Sequence, residues 1–350
     1  MNMNERVLVY GATGHTGRFV VDELLRRGLE PVLAGRDAER LAAGPERFAG
    51  LERRVATVAD PADLRRTLFG ISAVVNCAGP FLDTALPLAG AAVEAGAHYL
   101  DVTAEQPVVQ ALYRDLDTPA RAANVAVVPA MAFYGGLADL LVTTVLEGGS
   151  YADEVEVAIG LDRWWPTAGT RVTGARNTAT RMVIRDGVLA PLESPAPSGA
   201  WTFDEPLGEQ AVVQLPFSEV ITIDRHLEVK ALRSHLNTGS LDELRDADTP
   251  APEAVDPQGR SAQRFFVDVV ARNGDDLRGA SVSGRDIYAV SAPIVVEGVA
   301  RLLDGRHHGS GACAPGQAFD ATDVLKALQQ GGVIEMRTEV RRPAADCIPG

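Results

Sequence analysis

Gly11, Gly14 and Gly17 are spaced three apart, directly after the apolar run Val7-Leu-Val-Tyr10 and at the head of an amphipathic stretch. A strand that runs through such a turn into a helix builds a seat for a pyrophosphate. The first glycine permits the tight turn, the second lets the backbone approach the phosphates, and the third lets the helix pack close to the sheet. The helix start adds unpaired N–H groups for the anion. Thr13, His15 and Thr16 fill this turn and count with the glycines as dinucleotide contacts.

A second apolar run ends in Ala34-Gly35-Arg36. An NAD site places an Asp or Glu near this point for the ribose 2′-hydroxyl, and here a cation stands instead. Arg36, with Arg40 one turn later, suits a 2′-phosphate held by charge-assisted hydrogen bonds, so NADP(H) is expected ahead of NAD(H). Asp37 offers the competing choice: a ribose ligand, or the cap of the next helix.

Further candidates follow other strand ends. Cys77, Ala78, Gly79 and Pro80 are small residues whose backbone can lie against the pyrophosphate and nicotinamide ribose, with Phe81 beyond them toward a substrate. No histidine or other base neighbours Cys77, which reads as a small buried residue and not a nucleophile. Asp60 either receives the adenine amino group or caps the helix starting at Pro61. Asp101, Thr103 and Glu105 end a strand near the expected nicotinamide, where they can position the ring or the substrate. Phe133-Tyr134-Gly135-Gly136 is a second strand-to-helix turn. Its free N–H groups could hold an anionic substrate or an oxyanion, and Tyr134 is a candidate proton donor; packing is the alternative. Asp139 reads as a solvated or capping residue.

Trp164, Trp165 and Arg171 could form a wall and clamp over a substrate, although neighbouring strand positions face opposite ways. His226, His235 and Tyr288 are further proton-donor candidates, Tyr288 foremost because it opens a strongly helical segment. No tyrosine is followed four residues later by lysine, and Lys230 and Lys326 are the only lysines. The Tyr-x-x-x-Lys scheme of short-chain dehydrogenases is therefore excluded.

The elements that must position these groups can be read from periodicity. Strands near 7–10, 31–34, 55–60, 73–77, 99–103 and 125–130 alternate with helices near 37–43, 61–69, 84–96, 107–123 and 136–147. This alternation predicts a doubly wound parallel α/β sheet, with ligands outside the carboxyl ends of the strands. From about 151 the pattern changes to strand-like pieces at 153–162, 182–190, 210–216, 219–224, 262–272 and 277–284, with a helix near 169–181 and loops at 191–200 and 249–259. We expect a Rossmann domain from 1–150 and 286–350, the helix 288–303 returning to it, and an α+β, mainly antiparallel domain from 151–285 covering the substrate.

Over 350 residues, 46% hydrophobic content supports a full core, and no apolar run is long enough to span a membrane. The net charge of −14, without a basic stripe, argues against a nucleic-acid partner. The first strand begins almost at once, leaving no room for a signal peptide, and Cys77, Cys313 and Cys347 match no metal or disulfide pattern. These features fit a cytoplasmic protein.

Taken together, Gly11-Ala-Thr-Gly14-His-Thr-Gly17-Arg18, Leu33-Ala-Gly-Arg36, Val75-Asn-Cys-Ala-Gly79-Pro80-Phe81, Tyr99-Leu-Asp101-Val-Thr103, Pro129 through Asp139 and Ala314 through Asp320 carry a resemblance. The chain resembles the saccharopine dehydrogenase-like NADP-binding family, including its trans-acting enoyl reductase branch. The resemblance covers roughly the first 150 and last 80 residues. It implies a Rossmann domain, NADP(H) and an inserted sheet domain over the nicotinamide. The expected activity is NADPH-dependent reduction of a C=N (imine or iminium) bond in a small organic substrate. Enoyl C=C reduction is the alternative within the family, and a non-catalytic NADP-sensing regulator is the alternative of another class. Enzymes of this architecture often pair through a sheet domain, so a homodimer is also expected. No metal is called for.

Overall fold

The computed structural model describes residues 5–338; Arg341, Arg342 and Cys347 lie outside the described residues. In the first half, strands and helices alternate: β1 (Arg6–Tyr10), α1 (His15–Arg26), β2 (Glu30–Gly35), α2 (Ala38–Ala42), β3 (Arg53–Val55), α3 (Pro61–Thr67), β4 (Ala73–Asn76), α4 (Phe81–Glu94), β5 (His98–Asp101), α5 (Gln106–Ala122), β6 (Ala126–Val128) and α6 (Ala138–Val145). The six strands are mutually parallel in the order β6-β5-β4-β1-β2-β3. Helices cover both faces of such a sheet, so its central strands are apolar on both sides, as Val7-Leu-Val and Ala73-Val-Val are. The strand expected at 55–60 lies earlier. Asp60 accepts from Ala62 N and Asp63 N as the cap of α3, and the turn that brings it there ends β3 at Val55.

The second sheet is built from β7 (Tyr151–Leu161), β8 (Met182–Arg185), β9 (Val188–Pro191), β10 (Ser198–Thr202), β11 (Glu209–Gln214), β12 (Glu228–Asn237), β13 (Arg264–Asn273) and β14 (Asp276–Arg285), with α7 (Ala168–Arg176), α8 (Glu219–Asp224) and α9 (Thr238–Arg245) between them. It is antiparallel except where β12 runs parallel to β7. Two-residue periodicity divides its faces. Val155, Val157, Ile159, Val267 and Val269 join the main core, while Ala158, Trp201, Phe203, Phe266 and Val270 form a smaller cluster on the other face. The run Glu219-Val-Ile-Thr-Ile-Asp224 is a helix, not a strand. Its β-branched residues favour a strand, but Val220, Ile221 and Ile223 are all buried, and that packing overrides a weak local preference. The strand β10 within a segment read as loop, and β12 with α9, were also not anticipated.

The chain then returns. α10 (Ser291–Leu303) packs on α1, fastened by Arg27–Glu297 at 2.5 Å, while Arg301 on α10 itself holds the same Glu297 at 2.9 Å. β15 (Gly311–Ala312) extends the first sheet beside β6; α11 (Pro315–Ala318) and α12 (Ala321–Gln330) follow. β16 (Ile334–Arg337) then pairs with β14 in the second sheet. The part of 286–350 that is described, up to residue 338, therefore serves both sheets and not the first alone, with β16 covering the edge of β14.

Candidate active site

A cleft of about 710 Å³ opens at the carboxyl ends of β1, β2 and β4 and is roofed by α7 and the segment leading into it. At one end it is lined by Gly11, Thr13, Gly14, His15, Thr16, Arg18, Arg36 and Arg40, with Cys77, Ala78, Gly79, Pro80 and Phe81 along the floor. Gly11 has φ +85°, and a Cβ there would sit 2.9 Å from Ala78 N and from the Cys77 carbonyl carbon. A Cβ on Gly17 would run into Gly11 O, so the third glycine sets the close approach of α1 to β1. α1 starts from Gly14 without a side-chain cap, leaving its first N–H groups to an anion.

The choice between Arg36 and Asp37 is resolved by partners. Asp37 caps α2 by accepting from Arg40 N at 3.0 Å, whereas Arg36 and Arg40 have no ion-pair partner among the described residues. Two unpaired guanidinium groups beside an uncapped helix start and a cradle that a Cβ would fill suit a 2′-phosphorylated dinucleotide. Burial pushes the Cys77 thiol up, which keeps it protonated and inert.

Toward the other end the walls carry Glu105, Tyr134, Trp164, Arg181, Phe217 and Tyr288. Glu105 is 1% exposed; Oε1 accepts from Phe81 N at 3.0 Å and Oε2 has no partner. Burial raises its carboxyl above the usual range, opposed by hydrogen bonds from the Phe81 and Leu82 backbone. The Tyr134 hydroxyl is buried without a partner, its ring packed between Phe133, Trp164 and Phe217. Burial, with Tyr288 and Glu219 adding, holds it well above the ordinary phenol value. Tyr288 is positioned by Asp286, whose Oδ1 accepts from Tyr288 N and Ala289 N. Its hydroxyl accepts from Trp164 Nε1 at 3.2 Å and Thr167 N at 3.3 Å, and lies 2.9 Å from Thr170 Oγ1. With all three partners on or next to α7, Tyr288 anchors the roof and has no free hydroxyl for a substrate. The His15 ring stands edge-on to Tyr288 at 5.4 Å, and burial keeps it neutral.

Several expected contacts lie elsewhere. Asp60 is occupied as the α3 cap. Asp101 and Thr103 are fully buried behind the cleft wall: Asp101 accepts from Ala130 N, Thr103 N and the Tyr99 hydroxyl, and Thr103 Oγ1 accepts from Glu105 N. They position Glu105 and do not themselves reach the cleft. Phe133, Gly135 and Gly136 form a buried turn off the cleft walls, and the N–H groups of Phe133 and Gly136 are already taken. Phe133 N donates to Ser291 Oγ, and Gly136 N to Ala130 O. Gly135 adopts φ +93°, so these glycines shape the turn instead of receiving an anion. Trp165 is half-buried and absent from the cleft walls, so Trp164 alone of the pair lines it; both lie past the end of β7, where strand alternation does not apply. Arg171 donates to Asp246 O and Thr249 O, away from the cleft. His226 pairs with Asp139 at 2.7 Å and His235 with Glu156 at 2.6 Å, neither in the cleft.

Arg181, Phe217, Thr170, Thr173 and Asn177 were missed, although all line the cleft. Thr170, Thr173, Asn177 and Arg181 lie on or just after α7 and Phe217 just before α8, and no motif joins them. Glu105, by contrast, was named from the sequence with Asp101 and Thr103, and it alone of the three lines the cleft.

Fold and site together define a Rossmann-type dinucleotide-binding protein with a second sheet closing its cleft. Residues 7–131 match the family described as saccharopine dehydrogenase NADP binding domain. Saccharopine dehydrogenase-like oxidoreductase of Homo sapiens is 30% identical over 117 residues, 28% of this chain and 27% of that protein. A trans-acting enoyl reductase of Mycobacterium ulcerans (strain Agy99) is 31% identical over 105 residues, 28% of this chain and 25% of that protein. These alignments thus span under a third of the curated relatives' length. Over the whole chain the fold matches a solved structure, the apo histidine-tagged saccharopine dehydrogenase (L-Glu forming) from Saccharomyces cerevisiae. The TM-score is 0.68 at 13% identity, covering 96% of this chain and 100% of that one. No helix among the described residues is long and apolar enough to cross a membrane.

Proposed function

We propose that the chain is an NADPH-dependent reductase acting on a polarised C=N bond of a small organic substrate. The observation that carries this reading is the continuity of the cleft, from the Gly11–Gly14 turn and Arg36 to Glu105 and Tyr134. Gly11, Gly14 and the start of α1 would hold the pyrophosphate, and Arg36 with Arg40 the 2′-phosphate. NADPH, when bound, supplies the hydride. Ala78, Gly79 and Pro80 bring backbone close on one side, while α7 and Trp164 exclude water on the other. Tyr134, held neutral, donates a hydrogen bond. Glu105 is the proton donor, because burial keeps its acid form populated closer to neutrality. Neither lysine lines the cleft, and a neutral imine must take one proton on nitrogen as hydride reaches its carbon, the proton that Glu105 would supply. The matches to trans-acting enoyl reductases favour a second reading, reduction of an enoyl C=C bond.

The test is NADPH consumption by the purified chain with a panel of cyclic imines and enoyl thioesters. Turnover with imines supports the first reading, and turnover with enoyl compounds alone moves the assignment to the second. NADPH binding without consumption across the panel would leave the chain as a dinucleotide sensor.

A further inference from the structure

The chain carries 47 acidic against 33 basic residues, so an arginine rarely lacks a carboxylate neighbour. Arg18, Arg36, Arg40 and Arg181 all line the cleft, and none has an acid within ion-pair distance among the described residues. The first three stand at the nucleotide end, where phosphates account for them. Arg181 stands at the other end, with no phosphate to serve.

Its setting is built. Nη1 donates to Pro216 O at 2.5 Å, and the guanidinium lies over the Phe217 ring, 5.0 Å from its centroid. This fixes the plane of the fork and leaves other N–H groups unused. Glu219 is the acid whose charge Arg181 feels, but it is fully buried, and its Oε1 is taken by Ser234 Oγ at 2.6 Å and Phe217 N at 2.9 Å. Burial raises the Glu219 carboxyl, opposed by hydrogen bonds from Ser234 and the Phe217 backbone and by the Arg181 charge, and the two side chains do not come within ion-pair distance. Against the same Phe217 ring packs Tyr134, with its unpartnered buried hydroxyl. An unpaired cation and an unused hydroxyl donor thus share one aromatic wall, completed by Trp164.

We infer that Arg181 and the Tyr134 hydroxyl receive a carboxylate of the substrate, and that Phe217 and Trp164 take a planar or apolar body attached to it. This rests on the cleft being the substrate site, as proposed above, and narrows the substrate class to organic acids. A neutral substrate would leave the guanidinium desolvated and unmatched.

The test uses the NADPH-loaded full chain and three matched pairs: cinnamate with cinnamamide, benzoate with benzamide, and hexanoate with hexanamide. Each is titrated by calorimetry. At least one carboxylate is expected to bind about tenfold or more tighter than its amide, equivalent to about 1.4 kcal/mol. Arg181→Gln is expected to remove that preference while NADPH affinity stays within about threefold, and Arg181→Lys to restore part of it. Equal binding of acid and amide in every pair, absence of binding included, overturns the inference. So does a preference that survives in Arg181→Gln. If the carboxylate preference holds but no imine or enoyl compound is reduced, the reaction assignment fails and the anion subsite stands.

Discussion

Arg36 and Asp37 are adjacent, and each could have decided the cofactor; what separates them is that the aspartate is occupied and the arginine is not. Arg36→Ala is expected to weaken NADPH by about 10- to 100-fold, the range for lost charge-assisted hydrogen bonds, and NADH by less than about threefold. Fluorescence titration of both nucleotides measures this, and equal losses would remove the 2′-phosphate assignment. Glu105 supports a kinetic prediction with a definite sign. Its carboxyl is raised, and as a proton donor it acts in the acid form, so kcat should fall as pH rises through its folded value. Glu105→Gln should lower kcat by about 100-fold, flatten that limb and leave KM within a few-fold. A variant that keeps the wild-type pH profile assigns the proton to another group.

Among the elements, α7 buries none of its own residues and is held by polar ties at both ends. Tyr288 fastens its start through Trp164, Thr167 and Thr170, and Arg176 fastens its end to Asp83 at 2.5 Å. Tyr288→Phe leaves two donors without an acceptor, at about 1–3 kcal/mol each if they remain buried. We expect a several-fold rise in substrate KM with kcat within about twofold. Steady-state kinetics distinguishes this from proton donation, which would show as a collapse of kcat at unchanged KM. The contrast also shows what was legible in the sequence. Gly11, Gly14, Gly17 and Arg36 could be read because one strand–turn–helix unit sets their roles locally. Tyr288 was singled out as opening the returning helix, which in fact starts three residues later at Ser291, and a free hydroxyl and an anchored one look alike until partners are known. Arg181 and Phe217 gave no signal, since they meet Tyr134 only after the second sheet has closed on the first. The run 219–224 misled for a related reason, its β-branched residues being buried in a helix by contacts from other elements.

At the scale of the whole molecule, the two sheets share one main core and are joined by polar pairs that cross between them. His226, after α8, holds Asp139 on α6, and the other carboxylate oxygen of Asp139 accepts from Gly316 N on α11 at 2.8 Å. Burial alone would lower the His226 value, but Asp139 outweighs it and the net shift is upward. The charged pair therefore contributes fully below the ordinary histidine value, and its contribution fades as pH rises through the raised folded value. His226→Ala should cost about 3 kcal/mol near pH 6 and clearly less near pH 9. Denaturant unfolding at both pH values checks this, and an equal loss at both would mean that only packing was removed. The returning strands have a further consequence. β15 completes the first sheet and β16 the second, so the first is whole only after residue 312 has left the ribosome and the second only after residue 337. During synthesis the nascent chain must carry an unfinished edge at β6 from residue 128 until β15 emerges, and a second at β14 from residue 285 until β16 emerges. Shielding those edges from other chains is then a task for chaperones, and the yield of folded protein should depend on them more than its final stability suggests.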